Sequence, residues 1–210
     1  MVRVREHVNP LSRRYQSAVT PPNWQAIYAQ MAQPLHLDIG CGRGRFILEM
    51  AQQVPTWNFL GLEIREPLVD QANVGYQELG LTNVHALFCN ANTSLRPILG
   101  TLPPGILQRV SIQFPDPWFK RKHQKRRVVQ PTLVETIAEF LPLNGTVFLQ
   151  SDVLDVATEM RDRFAEHPAF QIQTPDWLPT NPLPVATERE LSTLRYGDPV
   201  YRTVFQRVRH

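Results

Sequence analysis

Asp116 sits between two prolines, Pro115 and Pro117. Trp118 follows it, and then a dense cationic run from Lys120 to Arg127. Each proline locks its own φ and biases the residue before it toward extended geometry. The segment therefore predicts a carboxylate held on a rigid loop. The run itself holds Lys120, Lys122, His123, Gln124, Lys125, Arg126 and Arg127. A fixed carboxylate beside a row of cations suits chemistry on a polyanion, above all a nucleic acid. Taken alone, the cations have a plainer reading as a solvated surface run.

A second cluster says which ligand such chemistry would use. Asp38-Ile39-Gly40-Cys41-Gly42-Arg43-Gly44 follows an apolar segment and opens a helical pattern. Glycines there allow a tight turn and a close approach of backbone to ligand. The dinucleotide fingerprint needs its third glycine one place later, where this chain has Arg45. No lysine followed by Ser or Thr is present at this turn, which excludes a P-loop. Glu63 ends the next predicted strand about 20 residues on, where an acid can accept from both hydroxyls of a ribose. Asn90, after the third predicted strand, can accept from an exocyclic amine and donate to a ring nitrogen. It can equally cap the end of the strand.

These residues need a scaffold that brings strand ends together. Apolar segments at 35–39, 58–62, 84–88, 106–114 and 146–150 predict strands. Patterns at 45–53, 67–79, 132–141 and 153–167 predict helices between them, and a short helix is expected from 23 to the break at Gln33-Pro34. The alternation predicts a mostly parallel sheet with helices on both faces. Two further strands, near 170–173 and 200–208, have no helical pattern between them and could pair antiparallel. The proline-rich stretch 174–187 reads as a long surface loop.

Composition bounds the class. The chain of 210 residues carries 22 Lys+Arg and 19 Asp+Glu, a net charge of +3 that is small but clustered. Arg3, Arg5, Arg13 and Arg14 form the second basic cluster, within residues 1–20, which read as a flexible basic arm. Residues 21–210 are expected to form one domain. No stretch is apolar enough for a membrane span or a signal core, so no membrane role is expected. Cys41 and Cys89 have no ligand spacing and six histidines are scattered, so no metal is expected and the compartment reads as cytoplasmic.

With both motifs in view, the chain resembles the bacterial-type tRNA (guanine-N7-)-methyltransferase family, from about Leu35 onward. The specific core is Phe114-Pro115-Asp116-Pro117-Trp118 with Lys120 and His123-Gln124-Lys125-Arg126-Arg127; Gln150-Ser151-Asp152 and Thr187-Glu188-Arg189-Glu190 support it. The resemblance implies a Rossmann-like class I methyltransferase fold, an α/β architecture with an antiparallel last strand. It implies S-adenosyl-L-methionine as methyl donor, held by Asp38, Gly40, Gly42, Glu63, Asn90 and Asp116. Asp116 would be the catalytic residue. Lys120, Asp152, Thr187, Glu188, Arg189 and Glu190 would hold the target nucleotide. Lys122, His123, Gln124, Lys125, Arg126 and Arg127 would contact tRNA, whose guanine at position 46 is the family's target. The chain departs from the family at Asp38, where glutamate is usual, at Asn90, where aspartate is usual, and at Arg189, where an aromatic residue is common.

Guanine N7 has an in-plane lone pair and no proton. Its methylation needs alignment and stabilisation of positive charge, not a general base. Asp116, Asp152 and Glu190 are the carboxylates that could serve. Trp118 has two readings, stacking on a nucleotide or packing under the loop. Two other functions stay open: a methyltransferase acting on another RNA or a small molecule, and a non-catalytic RNA-binding subunit. Monomer and homodimer are equally compatible with the sequence.

Overall fold

The computed structural model describes residues 8–209. In chain order the elements are α1 (Trp24–Ile27), β1 (Leu35–Ile39), α2 (Arg45–Gln53), β2 (Asn58–Glu63), α3 (Glu66–Glu78), β3 (Val84–Phe88), α4 (Ala91–Leu99), β4 (Leu107–Gln113), α5 (Pro131–Phe140), β5 (Thr146–Ser151), α6 (Leu154–Ala165), β6 (Phe170–Ile172), α7 (Glu188–Arg195) and β7 (Tyr201–Arg207). One sheet has the order β3-β2-β1-β4-β5-β7-β6. The pairs are parallel from β3 to β5, and β7 runs antiparallel to both β5 and β6. The strand order reverses between β1 and β4. In such sheets a crevice opens at that point, beyond the carboxyl ends of the strands.

Side-chain alternation builds two cores. Leu35, Leu37 and Ile39 of β1 join Leu95, Ile98, Leu133, Ile137, Met160 and Phe164 from α4, α5 and α6 on one face. Phe46, Ile47 and Met50 of α2 pack with Val69, Ala72 and Tyr76 of α3 on the other. Burial on both faces explains why β1 and β2 are shielded along their whole length.

Four differences from the sequence-based expectation have physical causes. The helix expected from Asn23 to Gln33 stops after one turn. Tyr28 turns extended, the Ala29 amide bonds to Thr82 and Asn58 bonds to the Gln30 carbonyl, so tertiary contacts take over the backbone. Helix α4 escapes sequence patterning because Pro97 lies inside it, yet Asn90 caps its start. Helix α7 escapes because its buried residues are Glu190 and Thr193, while Leu191 and Leu194 face outward. It stands between the two last strands, which nonetheless pair antiparallel as expected. The cationic run is no open segment: Arg121–Arg126 coils into a 3-10 helix.

Candidate active site

The turn after β1 is set by its glycines. Gly40 has φ +86°, and a Cβ there would meet no protein atom within 4 Å, so the bare backbone faces open space. Gly44 (φ +68°) serves packing: a Cβ would lie 1.8 Å from Tyr76 Oη, which donates to the Gly44 carbonyl at 3.0 Å. The Gly40 and Cys41 amides donate to Leu62 O at 2.8 and 3.1 Å, tying the turn to β2.

Glu63 ends β2 and is buried. Its Oε2 accepts from the Gly42 amide at 2.9 Å, and its Oε1 accepts from the Arg65 amide at 3.0 Å. The Arg65 guanidinium takes the remaining positions, Nε to Oε1 at 2.8 Å and Nη2 to Oε2 at 3.1 Å. The bond to Glu63, and then the charges of Glu63 and Asp116, hold Arg65 above its ordinary value. Two parallel donors on one carboxylate are also what a ribose diol offers. The guanidinium fork thus engages both oxygens of Glu63.

Asp38 lies at the end of β1 with one carboxylate oxygen accepting from Ser111 Oγ at 2.6 Å and from Gln113 Nε2 at 3.2 Å. Burial pushes its carboxyl up to about 6, against the pull of these two bonds. His36 Nε2 lies 2.8 Å from Ser111 Oγ. Ser111 gives its only proton to Asp38, so His36 must donate through Nε2. Burial, then Arg109, push that imidazole down to about 3, so it is neutral. The chain of polar groups continues the other way. Gln150 Nε2 donates to Gln113 Oε1 at 2.8 Å and to Glu190 Oε2 at 3.1 Å, and Arg202 closes it with bonds to Gln150 and Glu190. The sheet register makes this possible, since Asp38 faces Ser111, Gln113 faces Gln150, and Gln150 faces Arg202.

Asn90 is a cap. Its Oδ1 accepts from the Asn92 amide at 3.1 Å, and its Nδ2 donates to the carbonyls of Pro10 and Tyr15 at 3.2 and 3.1 Å. Its Nδ2 is thus tied to the N-terminal segment, while Oδ1 keeps a second acceptor position and the residue lines the crevice. That segment, expected as an arm, lies across the site over residues 8–20. Arg14 pairs with Glu66, Tyr15 meets Phe88 edge-on, and Val8 and Pro10 line the crevice. Arg3 and Arg5 lie outside the described residues. Cys41 and Cys89 are buried thiols, the latter pushed up to about 12 by burial and then by Glu63, and both are inert packing groups.

The loop after β4 holds Asp116 by other means. Phe114 has φ +48° and Trp118 φ +44°, left-handed values that bulky residues rarely adopt. The sequence rule placed Phe114, as a pre-proline residue, in extended backbone; the structure corrects it. Such strain persists only where the surroundings over-determine it. Here Arg127 is buried, donates through Nε to the Pro117 carbonyl at 2.8 Å and pairs with Glu159 of α6. The Arg126 guanidinium lies 4.9 Å over the Trp118 ring, and His123 meets that ring edge-on at 5.8 Å. Trp118 therefore packs within the loop. Arg126 and Arg127 brace the loop, whereas Lys120, Lys122 and Lys125 are exposed and Gln124 is half-buried.

Two adjoining spaces result. A crevice of about 770 Å³, open mouth included, is lined by Gly40, Glu63, Arg65, Asn90, Asp116 and Arg126 among others. A wider groove of about 1310 Å³ holds Asp38, Gly42, Asp116, Asp152, Thr187 and Arg189. Asp116 lines both. Asp152 accepts from Arg189 Nε at 2.9 Å, Thr187 caps α7 through the Glu190 amide, and Glu188 pairs with Arg45. Glu190 does not line the groove; it is buried and paired with Arg202 at 2.8 Å. Lys120 stands outside it too, at the start of the 3-10 helix. Sequence reasoning missed Arg65, although a base two residues after a strand-end acid was a usable signal. It also missed Phe119, exposed in the groove.

The spaces suit a nucleoside-bearing cation. Gly40 leaves room beside the backbone, Glu63 offers a diol acceptor, and Asp38 places a carboxylate at the groove end. Strand order, glycine turn and strand-end acid together define a class I S-adenosylmethionine-dependent methyltransferase. A family model described as a putative methyltransferase matches residues 32–203. The chain is 62% identical over 208 residues to the tRNA (guanine-N(7)-)-methyltransferase of Trichormus variabilis, covering 99% of this chain and 97% of the relative. It is 61% identical over 206 residues to the enzyme of that name from Synechococcus elongatus, covering 98% and 97%. A precorrin-6y C5,15-methyltransferase structure from Geobacter metallireducens shares the fold at TM-score 0.54 and 15% identity, over 88% of this chain and 85% of that one. The chain belongs to the tRNA (guanine-N7-)-methyltransferase family, whose methyl donor is S-adenosyl-L-methionine. No helix among the described residues is long and apolar enough to cross a membrane, and no group of three or more metal-ligating side chains occurs among them.

Proposed function

We propose that this protein methylates N7 of guanine 46 in the variable loop of tRNA, in the cytoplasm. The observation that carries it is Asp116, a carboxylate on a braced loop at the seam between the donor crevice and the groove. When bound, S-adenosyl-L-methionine supplies an electrophilic methyl group for in-line displacement. The N7 lone pair forms the new bond, the sulfur–methyl bond breaks with its electrons going to sulfur, and no proton leaves. Positive charge thereby moves onto the purine, where Asp116 stabilises it.

Glu63 accepts the ribose hydroxyls once the Arg65 fork swings aside. Asp38, once ionised, meets the ammonium group at the donor's amino-acid end. In guanine, N7 and the N1–H/2-amino edge lie on different sides of the ring. A base with N7 at the seam thus turns its donor edge toward Asp152, which accepts there with Arg189 holding it in place. Adenine does not present that donor pair. Lys120, Lys122 and Lys125 meet phosphates, which position the RNA without reading its sequence.

The test is to incubate the protein with labelled donor and unmodified tRNA, then cleave reductively at N7-methylguanosine. A single cut at position 46 is expected. Label without a cut, or a cut elsewhere, would reject the assignment.

A further inference from the structure

Phe119 is 74% exposed, the most exposed of the aromatic side chains lining the crevice or the groove. The others are Phe46, which is buried, and Phe114 and Trp118, which are half-buried. Isolated apolar residues in water are ordinary. This one follows a stiff stretch of chain. Pro117 stiffens the chain before it, Trp118 adopts φ +44°, and the Trp118 ring turns toward His123 and Arg126. Phe119 has no ring or guanidinium stacked on it among the described residues, and it lines the groove while exposed to solvent.

The surroundings say what fits. Asp116 and Asp152 line the same groove, and Lys120, Arg121 and Lys122 follow directly along the chain. An open aromatic face flanked by exposed cations is the arrangement that binds unstacked nucleotides. A guanine reaching a buried donor must leave its neighbours in the RNA, losing stacking on its faces. We propose that Phe119 is the stacking platform for the target guanine, holding its plane so that N7 points at the seam. The proposal rests on the tRNA guanine-N7 reading above.

Steady-state methylation of unmodified tRNA by wild type, Phe119→Ala, Phe119→Leu and Phe119→Trp tests it, with donor affinity measured by calorimetry. The alanine variant should lose about 5- to 150-fold in kcat/KM for tRNA, the range for loss of one base–aromatic stack. Part of the loss should fall on kcat, because a tilted base misaligns N7. Leucine should do little better than alanine, and tryptophan should match or exceed wild type. Donor affinity should not move, since Phe119 lies outside the donor crevice. An active wild type with an unaffected alanine variant would overturn the proposal alone. So would full rescue by leucine, which would make the contact merely apolar. A loss confined to KM would assign Phe119 to a flanking base and overturn it as well. A wild type that transfers no methyl to tRNA would overturn the functional reading, and the proposal with it.

Discussion

The two halves of the site are held in different ways. On the proposed donor side, Asp38, Gly40 and Glu63 sit on or just past strand ends, where sheet register and backbone hydrogen bonds place them, with Arg65 paired to Glu63 and Ser111 and Gln113 bonded to Asp38. On the acceptor side, Asp116, Asp152 and Arg189 sit on a loop, a strand exit and a helix start. Side-chain pairs hold them: Arg127 with Glu159, Arg189 with Asp152, and Glu190 with Arg202. A donor site of this kind comes with the fold. An acceptor site braced by individual ion pairs can change its target by changing a few residues. The polar chain from Asp38 through Gln113 and Gln150 to Glu190 joins the halves across β1, β4, β5 and α7.

If the halves divide the work, substitutions should separate them. The largest effect is expected for Asp116→Asn, which keeps shape and deletes charge. Its single-turnover methylation rate should fall about 10- to 100-fold, somewhat less than for loss of an oxyanion-hole donor. Calorimetry should show donor affinity within about twofold of wild type. Equal losses in both would place Asp116 in the donor half.

Glu63→Ala should do the reverse. Removing a charged acceptor should weaken donor binding about tenfold or more, with tRNA affinity intact. An unchanged donor dissociation constant would take Glu63 out of the site.

Asp38 gives the donor half a pH signature. Its carboxyl, raised by burial to about 6, is neutral below that value and ionised above it. Only the ionised form attracts an ammonium group, so donor affinity should rise with pH through about 6. Binding should be about tenfold weaker at pH 5 than at pH 7. Asp38→Asn should bind weakly at both pH values. A wild-type affinity flat across this range would show that Asp38 does not meet the donor's charge.

The smallest effects should divide the cationic run within itself. Replacing Lys122 and Lys125 with Ala should weaken tRNA binding a few-fold and flatten its salt dependence by about 0.7–0.9 in log–log slope per lost contact. The melting temperature should not change. Arg127→Ala should instead lower it, because it leaves Glu159 and the Pro117 carbonyl without their partner. Parallel salt slopes for wild type and the lysine double variant would leave those lysines as plain surface.

The strands and the glycine turn that carry the proposed donor half were legible in the sequence because their signals are local. Alternation of strand and helix patterns, a glycine turn and an acid at a strand end each need only a few neighbouring residues. Asn90 was ambiguous for the same reason: one residue type serves a cap and a base edge alike. The acceptor half was harder to read because long-range pairs decide it. Nothing near Arg127 announces Glu159, and nothing near Glu190 announces Arg202. Helix α7 hid its role by burying Glu190 and Thr193 while exposing its leucines. The strain at Phe114 and Trp118 breaks local backbone rules, and it falls on the loop that carries Asp116.

The most direct test of the whole account is transfer of labelled methyl from S-adenosyl-L-methionine to two tRNAs that differ at one atom. One carries guanosine at position 46; the other carries 7-deazaguanosine there, with C–H in place of N7. The account predicts about one methyl per molecule on the first and none on the second, with similar binding of both. Equal incorporation would contradict it, because the methyl would then be going somewhere other than N7 of that guanine.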